Sequence, residues 1–283
     1  MLKLTLPWIW HHPLGKRHRL DAYQRYIYWQ ARCRLTAKPF TMRWVNGTRF
    51  LLEPGMKGAT GNFYCGLHEW PDMAFVLHLL RPEDTFADIG ANVGSYTVLA
   101  AGAVGCQCQT FEPVPSSFQR LERQVLANSL EHRVTIHQAA VGAEAGEVHF
   151  SIDRDAMNQV VGSDYPGELM SVPVIAIDDL KTLRNACCWK LDVEGHEAAV
   201  LAGAAYTLAE APPATILCED RSPAVQNIFQ RAGFQACAYD PFTRELRPDP
   251  MAGGGNQLWV HDLAWTQGRL QSAPAFNVLG EQI

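Results

Sequence analysis

From about residue 84 the chain alternates short apolar runs with amphipathic stretches, and this alternation limits its fold more than any other feature. Strands are expected at 85–89, 107–111, 134–138, 188–193, 215–218, 234–239 and 257–261. Helices are expected at 95–103, 116–128, 196–208 and 224–232. Further extended pieces fall at 147–152 and 172–177. Strands that alternate with helices form a mainly parallel sheet covered on both faces. The last two strands are separated only by the turn-rich segment 240–256, which favours antiparallel pairing. The expectation is one α/β domain over 81–262, a cap over 1–80 and a loosely held tail over 263–283.

Before residue 84 the pattern is different. Residues 16–36 read as a helix, with Leu20, Tyr23 and Ile27 at helical spacing. Asn46-Gly47 marks a hairpin between 41–45 and 48–52. The Gly-rich stretch 54–68 reads as an ordered loop, and 72–80 as a short helix. Residues 1–50 carry ten Lys or Arg against one acid, Asp21, although the whole chain has a net charge of -5. A basic arm on an acidic body points to an anionic partner, either a phosphorylated or lipid-linked substrate or peripheral membrane contact. Its plain alternative is a solvated helix.

With 47% hydrophobic and 19% charged residues, disorder is excluded. Eight cysteines are too sparse for a disulfide scaffold and lack zinc-site spacing. No apolar run is long enough to span a bilayer. The first ten residues include Pro7 and no small-residue cleavage site, so a cytoplasmic location is expected.

The most informative segment is Phe86-Ala87-Asp88-Ile89-Gly90-Ala91-Asn92-Val93-Gly94-Ser95-Tyr96. A strand ends near an acid, and two glycines open a helix. Glycine lets the backbone approach a ligand closely. Glu112 ends the next strand and suits a ribose diol. The glycines read G-x-x-x-G rather than G-x-G-x-x-G, and Asp88 would repel a pyrophosphate. A carboxylate there suits a cation, which favours S-adenosyl-L-methionine over a nicotinamide dinucleotide.

Together, Asp88-Ile89-Gly90-Ala91-Asn92-Val93-Gly94, then Phe111-Glu112-Pro113, then Trp189-Lys190-Leu191-Asp192-Val193-Glu194-Gly195-His196-Glu197 resemble the FkbM family of methyltransferases. The resemblance runs from about 69 to 260. It implies a Rossmann-like class I methyltransferase fold, a mostly parallel seven-stranded sheet with a final antiparallel strand. It also implies O-methylation of sugars or secondary metabolites. By that resemblance Asp88, Gly90, Asn92 and Gly94, with Tyr96, line the methionine end of the cofactor. Glu112, beside Pro113, holds the ribose, Ala140 lies near the adenine, and Glu69 belongs to a segment folding over the pocket.

An alcohol is a poor nucleophile at neutral pH, so a base or a metal helps. Lys190, Asp192 and Glu194 are expected on one strand face by the period of two. His196 is the natural base and Glu194 the second choice. Asp192, Glu194, Glu219 and Asp220 offer oxygen ligands for a hard divalent cation, an alternative left open without asserting a metal. The polar segment 153–168, with Asp153, Arg154, Asn158, Gln159, Asp164 and Tyr165, is a candidate for acceptor choice. The acceptor is expected to be a small molecule or glycan, not nucleic acid. Rival readings are a nicotinamide-dependent oxidoreductase and a non-catalytic cofactor-binding module.

Overall fold

A computed structural model describes residues 2–151, 160–161, 169–249 and 255–283. The chain opens with three helices, α1 (Leu2–His11), α2 (Pro13–Arg17) and α3 (Arg19–Leu35). The hairpin follows as β1 (Phe40–Arg43) and β2 (Arg49–Leu52), paired from Phe40 with Leu52 to Arg43 with Arg49. Asn46 and Gly47 make its turn at φ 49° and 81°. Next come α4 (Lys57–Cys65) and α5 (Trp70–Leu79). A helix at α4 corrects the loop expected over 54–68. Each glycine costs a helix about 1 kcal/mol, but α4 buries Phe63, Tyr64 and Cys65, and that packing outweighs local propensity.

The α/β part runs β3 (Thr85–Ile89), α6 (Ser95–Thr97) continuing as a π-helical stretch Val98–Val104, β4 (Gln107–Phe111), α7 (Pro115–Ala127) and β5 (Val134–His137). Four strands follow outside the main sheet's order: β6 (Ala140–Val141), β7 (Gly146–Ser151), β8 (Val160–Val161) and β9 (Leu169–Ile175). Then come β10 (Ala186–Leu191), α8 (Glu197–Ala202), α9 (Ala205–Glu210), β11 (Thr215–Cys218), α10 (Pro223–Arg231), β12 (Gln235–Asp240), β13 (Glu245–Pro248) and β14 (Gln257–Val260). The chain closes with α11 (Leu263–Gln271), β15 (Asn277–Val278) and β16 (Glu281–Gln282).

The main sheet has the order β13-β12-β14-β11-β10-β3-β4-β5. Its β11-β10-β3-β4-β5 part is parallel, and β14 is antiparallel to both β11 and β12. This is the Rossmann-like class I arrangement with the antiparallel strand where it was expected. An eighth strand, β13, pairs with β12 inside the segment read as turns. The turn between them is closed by Phe242 N donating to Asp240 Oδ1 at 2.9 Å and by Arg244 at φ 58°.

Alternate strand residues divide between two cores, as burial on both faces requires. Ala87, Trp189, Ile216 and Trp259 face α8–α10. Phe86, Cys188, Leu217 and Leu258 face the other way, into a cluster that also holds Ile9, Tyr26, Trp29 and Phe50. The N-terminal helices and hairpin therefore share one continuous core with the sheet.

Residues 263–283 are not a loose tail. Leu270, Phe276, Val278 and Ile283 are buried in that same cluster. Glu281 meets Arg17 at 2.8 Å and His18 at 2.6 Å. The four apolar residues have no regular period, so their burial left no local signal. All eight cysteines are free thiols. Among the described residues no helix is long and apolar enough to cross a membrane.

Candidate active site

Parallel strands aim their carboxyl ends at one edge of the sheet, where connecting loops leave room for a ligand. At that edge a cavity of about 250 Å³ is lined by Asp88, Gly90, Asn92, Tyr96, Glu69 and Lys190, among others. Asp88 is 1% exposed. Its Oδ2 accepts from Thr97 Oγ1 at 2.6 Å, and its Oδ1 has no hydrogen-bond partner among the described residues. Burial pushes its pKa up to about 6, against the pull of Lys190.

The loop after β3 is held by close backbone packing. Gly90 N and Ala91 N both donate to Phe111 O at 3.0 Å. A Cβ at Gly90 would lie 1.8 Å from Asp192 O, and its φ is 84°. Only glycine meets both conditions. Asn92 follows at φ 51°, and Gly94 at 85° starts α6. Gly94 packs on Leu121, where a Cβ would fall 2.6 Å from Cδ1.

Glu112 fixes the same loop. Its Oε2 accepts from Asn92 N and its Oε1 from Val114 N, both at 2.8 Å. Each oxygen keeps a second lone pair. Burial raises the Glu112 pKa to about 7. Glu112, Pro113 and Gly94 support the loop without lining the cavity. Ala140 stands farther off, in β6, paired with Val174 and packed in the small sheet's own cluster.

Lys190 anchors the second constellation. It is 3% exposed, its Nζ lies 2.5 Å from Asp192 Oδ2, and it sits 4.9 Å from the centroid of Tyr96. Burial favours the neutral amine, but Asp192, Glu69 and Asp88 outweigh it and raise the Lys190 pKa. Tyr96 donates to Glu69 Oε2 at 2.5 Å. Asn256 Nδ2 donates to Asp72 Oδ2 at 2.9 Å, and burial lifts Asp72 to about 7.

Of the three catalytic candidates, only Asp192 lines the cavity. β10 ends at Leu191, and Glu194 and Gly195 have φ 54° and 91°. The chain has left the strand, so Lys190, Asp192 and Glu194 do not share one strand face. Glu194 is exposed. His196 precedes α8 and its ring lies beside Gly142, away from the cavity. Carboxylate oxygens of Asp192, Glu194 and Glu219 lie within 4.8 Å of one another. A hydrogen bond with Asp192 raises Glu219 to about 8. Asp220 is not in that group and accepts from Ser222 N at 2.6 Å instead. Asp153, Arg154, Asn158, Gln159, Asp164 and Tyr165 lie outside the described residues.

The reading from residue types missed His68 and Asn62, which also line the cavity. Both fall in the segment taken for a loop; Asn62 lies on α4, whose helix period glycine hid, and His68 follows the helix with no local signal. Asn62 Oδ1 accepts from His68 N at 2.7 Å, and its Nδ2 donates to Ser95 Oγ at 3.2 Å.

A family model described as the methyltransferase FkbM domain matches residues 88–241. Over 80 residues the chain is 38% identical to the 31-O-demethyl-FK506 methyltransferase FkbM of Streptomyces tacrolimicus. That match covers 27% of this chain and 29% of the relative, less than a third of its length. M. jannaschii TYW2, solved with AdoMet, is 12% identical at a TM-score of 0.43, covering 80% of this chain and 84% of that one. P. horikoshii TYW2, solved with MeSAdo, is 14% identical at a TM-score of 0.41, covering 80% and 70%.

Proposed function

Because the chain belongs to the FkbM methyltransferase family, we propose that it methylates a hydroxyl group of a sugar or natural product. Its methyl donor is S-adenosyl-L-methionine, which when bound supplies a methyl group on a cationic sulfur. The Asp88 carboxyl carries the assignment. It is buried on the cavity wall with one oxygen unpartnered, so it suits a cationic ligand that supplies a donor. Glu69, Asp88 and Asp192 give the wall three carboxylates. Lys190, held by Asp192, fixes their spacing. Gly90 and Asn92 bring the backbone close, and Glu112 holds that loop in place through Asn92 N and Val114 N.

Transfer from a sulfonium is an in-line displacement, so most of the work is alignment of the reacting groups. The Tyr96–Glu69 bond and the Lys190–Asp192 pair lock two walls of the cavity for that purpose. The eight free thiols fit a reducing compartment and support a cytoplasmic location.

Calorimetric titration with S-adenosylhomocysteine tests this function, with NADH as the competing ligand. Micromolar binding is expected, at least tenfold weaker in Asp88→Asn by loss of a charged contact and in Glu112→Gln by loosening of the loop it holds. NADH is expected to give no heat. Binding of NADH alone, or of neither ligand, sinks the proposal.

A further inference from the structure

A second cavity, of about 550 Å³, opens beside the first. Its walls come from α1, α3, α4 and the turn before α4. Trp8, Tyr26, Trp29 and Tyr64 give it four aromatic walls beside Met56, and among the described residues no Lys, Arg, Asp or Glu lines it. Gly55, Met56 and His68 line both cavities. These three residues stand between the two spaces, and His68 is the one among them with a titratable side chain.

The His68 ring has no structural duty that explains its place. It packs 5.0 Å from Trp8, and its Nδ1 is buried without a hydrogen-bond partner among the described residues. His12, on the other side of Trp8, shows the contrast. Its Nε2 lies 2.7 Å from Leu67 O, and its Nδ1 accepts from Gly15 N at 3.3 Å. Helix α4 makes room for the His68 ring with Gly61, where a Cβ would lie 1.9 Å from Nδ1. Burial lowers the His68 pKa, which keeps the imidazole in its neutral, proton-accepting form.

Resting on the methyl-transfer function above, we propose that the second cavity is the acceptor site, with the acceptor hydroxyl at His68. The occupant is an uncharged alcohol with an apolar ring or chain body. Aromatic walls bind such a body by stacking and burial, and the lining offers no charge to hold a phosphate. Three arginines of the basic arm are engaged elsewhere. Arg17 meets Glu281, Arg19 lies 4.0 Å over Trp10, and Arg25 donates to Tyr64 O. In the reaction the acceptor oxygen bonds to the methyl carbon. The carbon–sulfur bond breaks with its electron pair left on sulfur. The hydroxyl proton passes to Nε2 of His68, the ring nitrogen not sealed against Gly61, and from there to water.

The test uses the full chain saturated with S-adenosylhomocysteine and three probes: p-nitrophenyl β-glucoside, n-octyl β-glucoside and glucose. Both glucosides are expected to bind about tenfold or more tightly than glucose, since the apolar body carries the affinity. Cys33→Phe fills the cavity from its wall and should weaken both glucosides by about tenfold. Its affinity for S-adenosylhomocysteine should be unchanged, which also shows that it folds. Cys33→Leu is the milder filling if Cys33→Phe does not fold. Nitrogen NMR of the histidine rings should show His68, and not His196, shifting with the glucosides. Unchanged glucoside affinity in the filled variants overturns the acceptor site. So does a shift at His196 alone, or glucoside binding no tighter than glucose. Failure to bind S-adenosylhomocysteine overturns the methyltransferase function instead.

Discussion

Gly90 shows how much a single residue decides at this site. Its φ of 84° and the 1.8 Å that a Cβ would leave to Asp192 O allow no side chain, and the obstructing atom is backbone. Gly90→Ala should lose about 3 kcal/mol or more in urea denaturation, from strain and overpacking combined. Gly268→Ala, in α11 with nothing within 4 Å, should instead gain about 0.5 to 1 kcal/mol. A neutral Gly90→Ala would mean that the loop yields to accommodate a Cβ. Gly90, Asp88 and Glu112 were legible in the sequence because each combines an unusual residue type with a strand end. His68 was not, because nothing local marks which of ten histidines meets a cavity. His196 looked well placed for the converse reason: its neighbours are acids, but the turn at Glu194 and Gly195 carries it aside.

At the scale of the element, strand signals were strong and glycine-rich helices were hidden. Phe86/Ala87 and Cys188/Trp189 are apolar on both faces, as buried parallel strands must be. Helix α4 holds Gly58 and Gly61, which mimic a loop in composition. The two glycines should respond to alanine with opposite sign. Gly58 has nothing within 4 Å, so Gly58→Ala should raise stability by about 0.5 to 1 kcal/mol. At Gly61 the His68 ring blocks a Cβ, so Gly61→Ala should lower stability by about 1 to 3 kcal/mol. Thermal melts of the two variants decide it, and equal shifts would show that α4 does not house the ring. The same blindness applied to β13, which is short, partly exposed and bounded by turns.

Across the whole molecule, the core that carries the sheet also carries the two chain ends. Phe276 is 2% exposed within it, so Phe276→Ala should cost about 3 to 5 kcal/mol in chemical denaturation; a loss below about 1 kcal/mol would restore the loose tail. The buried acids give a second property that no single element owns. Burial raises Asp72 and Glu112 to about 7 from ordinary values of 3.8 and 4.5. The folded state thus holds these protons more tightly than the unfolded chain. The stability they contribute is fully present below the ordinary values and is lost as pH rises through 7. Burial also lowers His12 and His78 to about 4 from 6.5. Unfolding takes up protons at these rings below pH 6.5, so they act in the opposite direction there. Above 6.5 they are neutral in both states and drop out, leaving the raised carboxyls in control: Asp72 and Glu112, with the exposed Glu219, held up to about 8 by its hydrogen bond with Asp192, acting in the same direction. Stability of the ligand-free protein should therefore fall by about 1 to 2 kcal/mol between pH 6.5 and 8. Urea midpoints at half-unit steps would show the fall, and Asp72→Asn should make it shallower while keeping an oxygen for Asn256. A flat or rising wild-type profile, or an Asp72→Asn profile parallel to it, would mean that these carboxyls are solvated in the ligand-free protein. Glu112, behind the Asn92 loop, and Asp72, bonded to Asn256, would then be hydrated acids rather than buried ones.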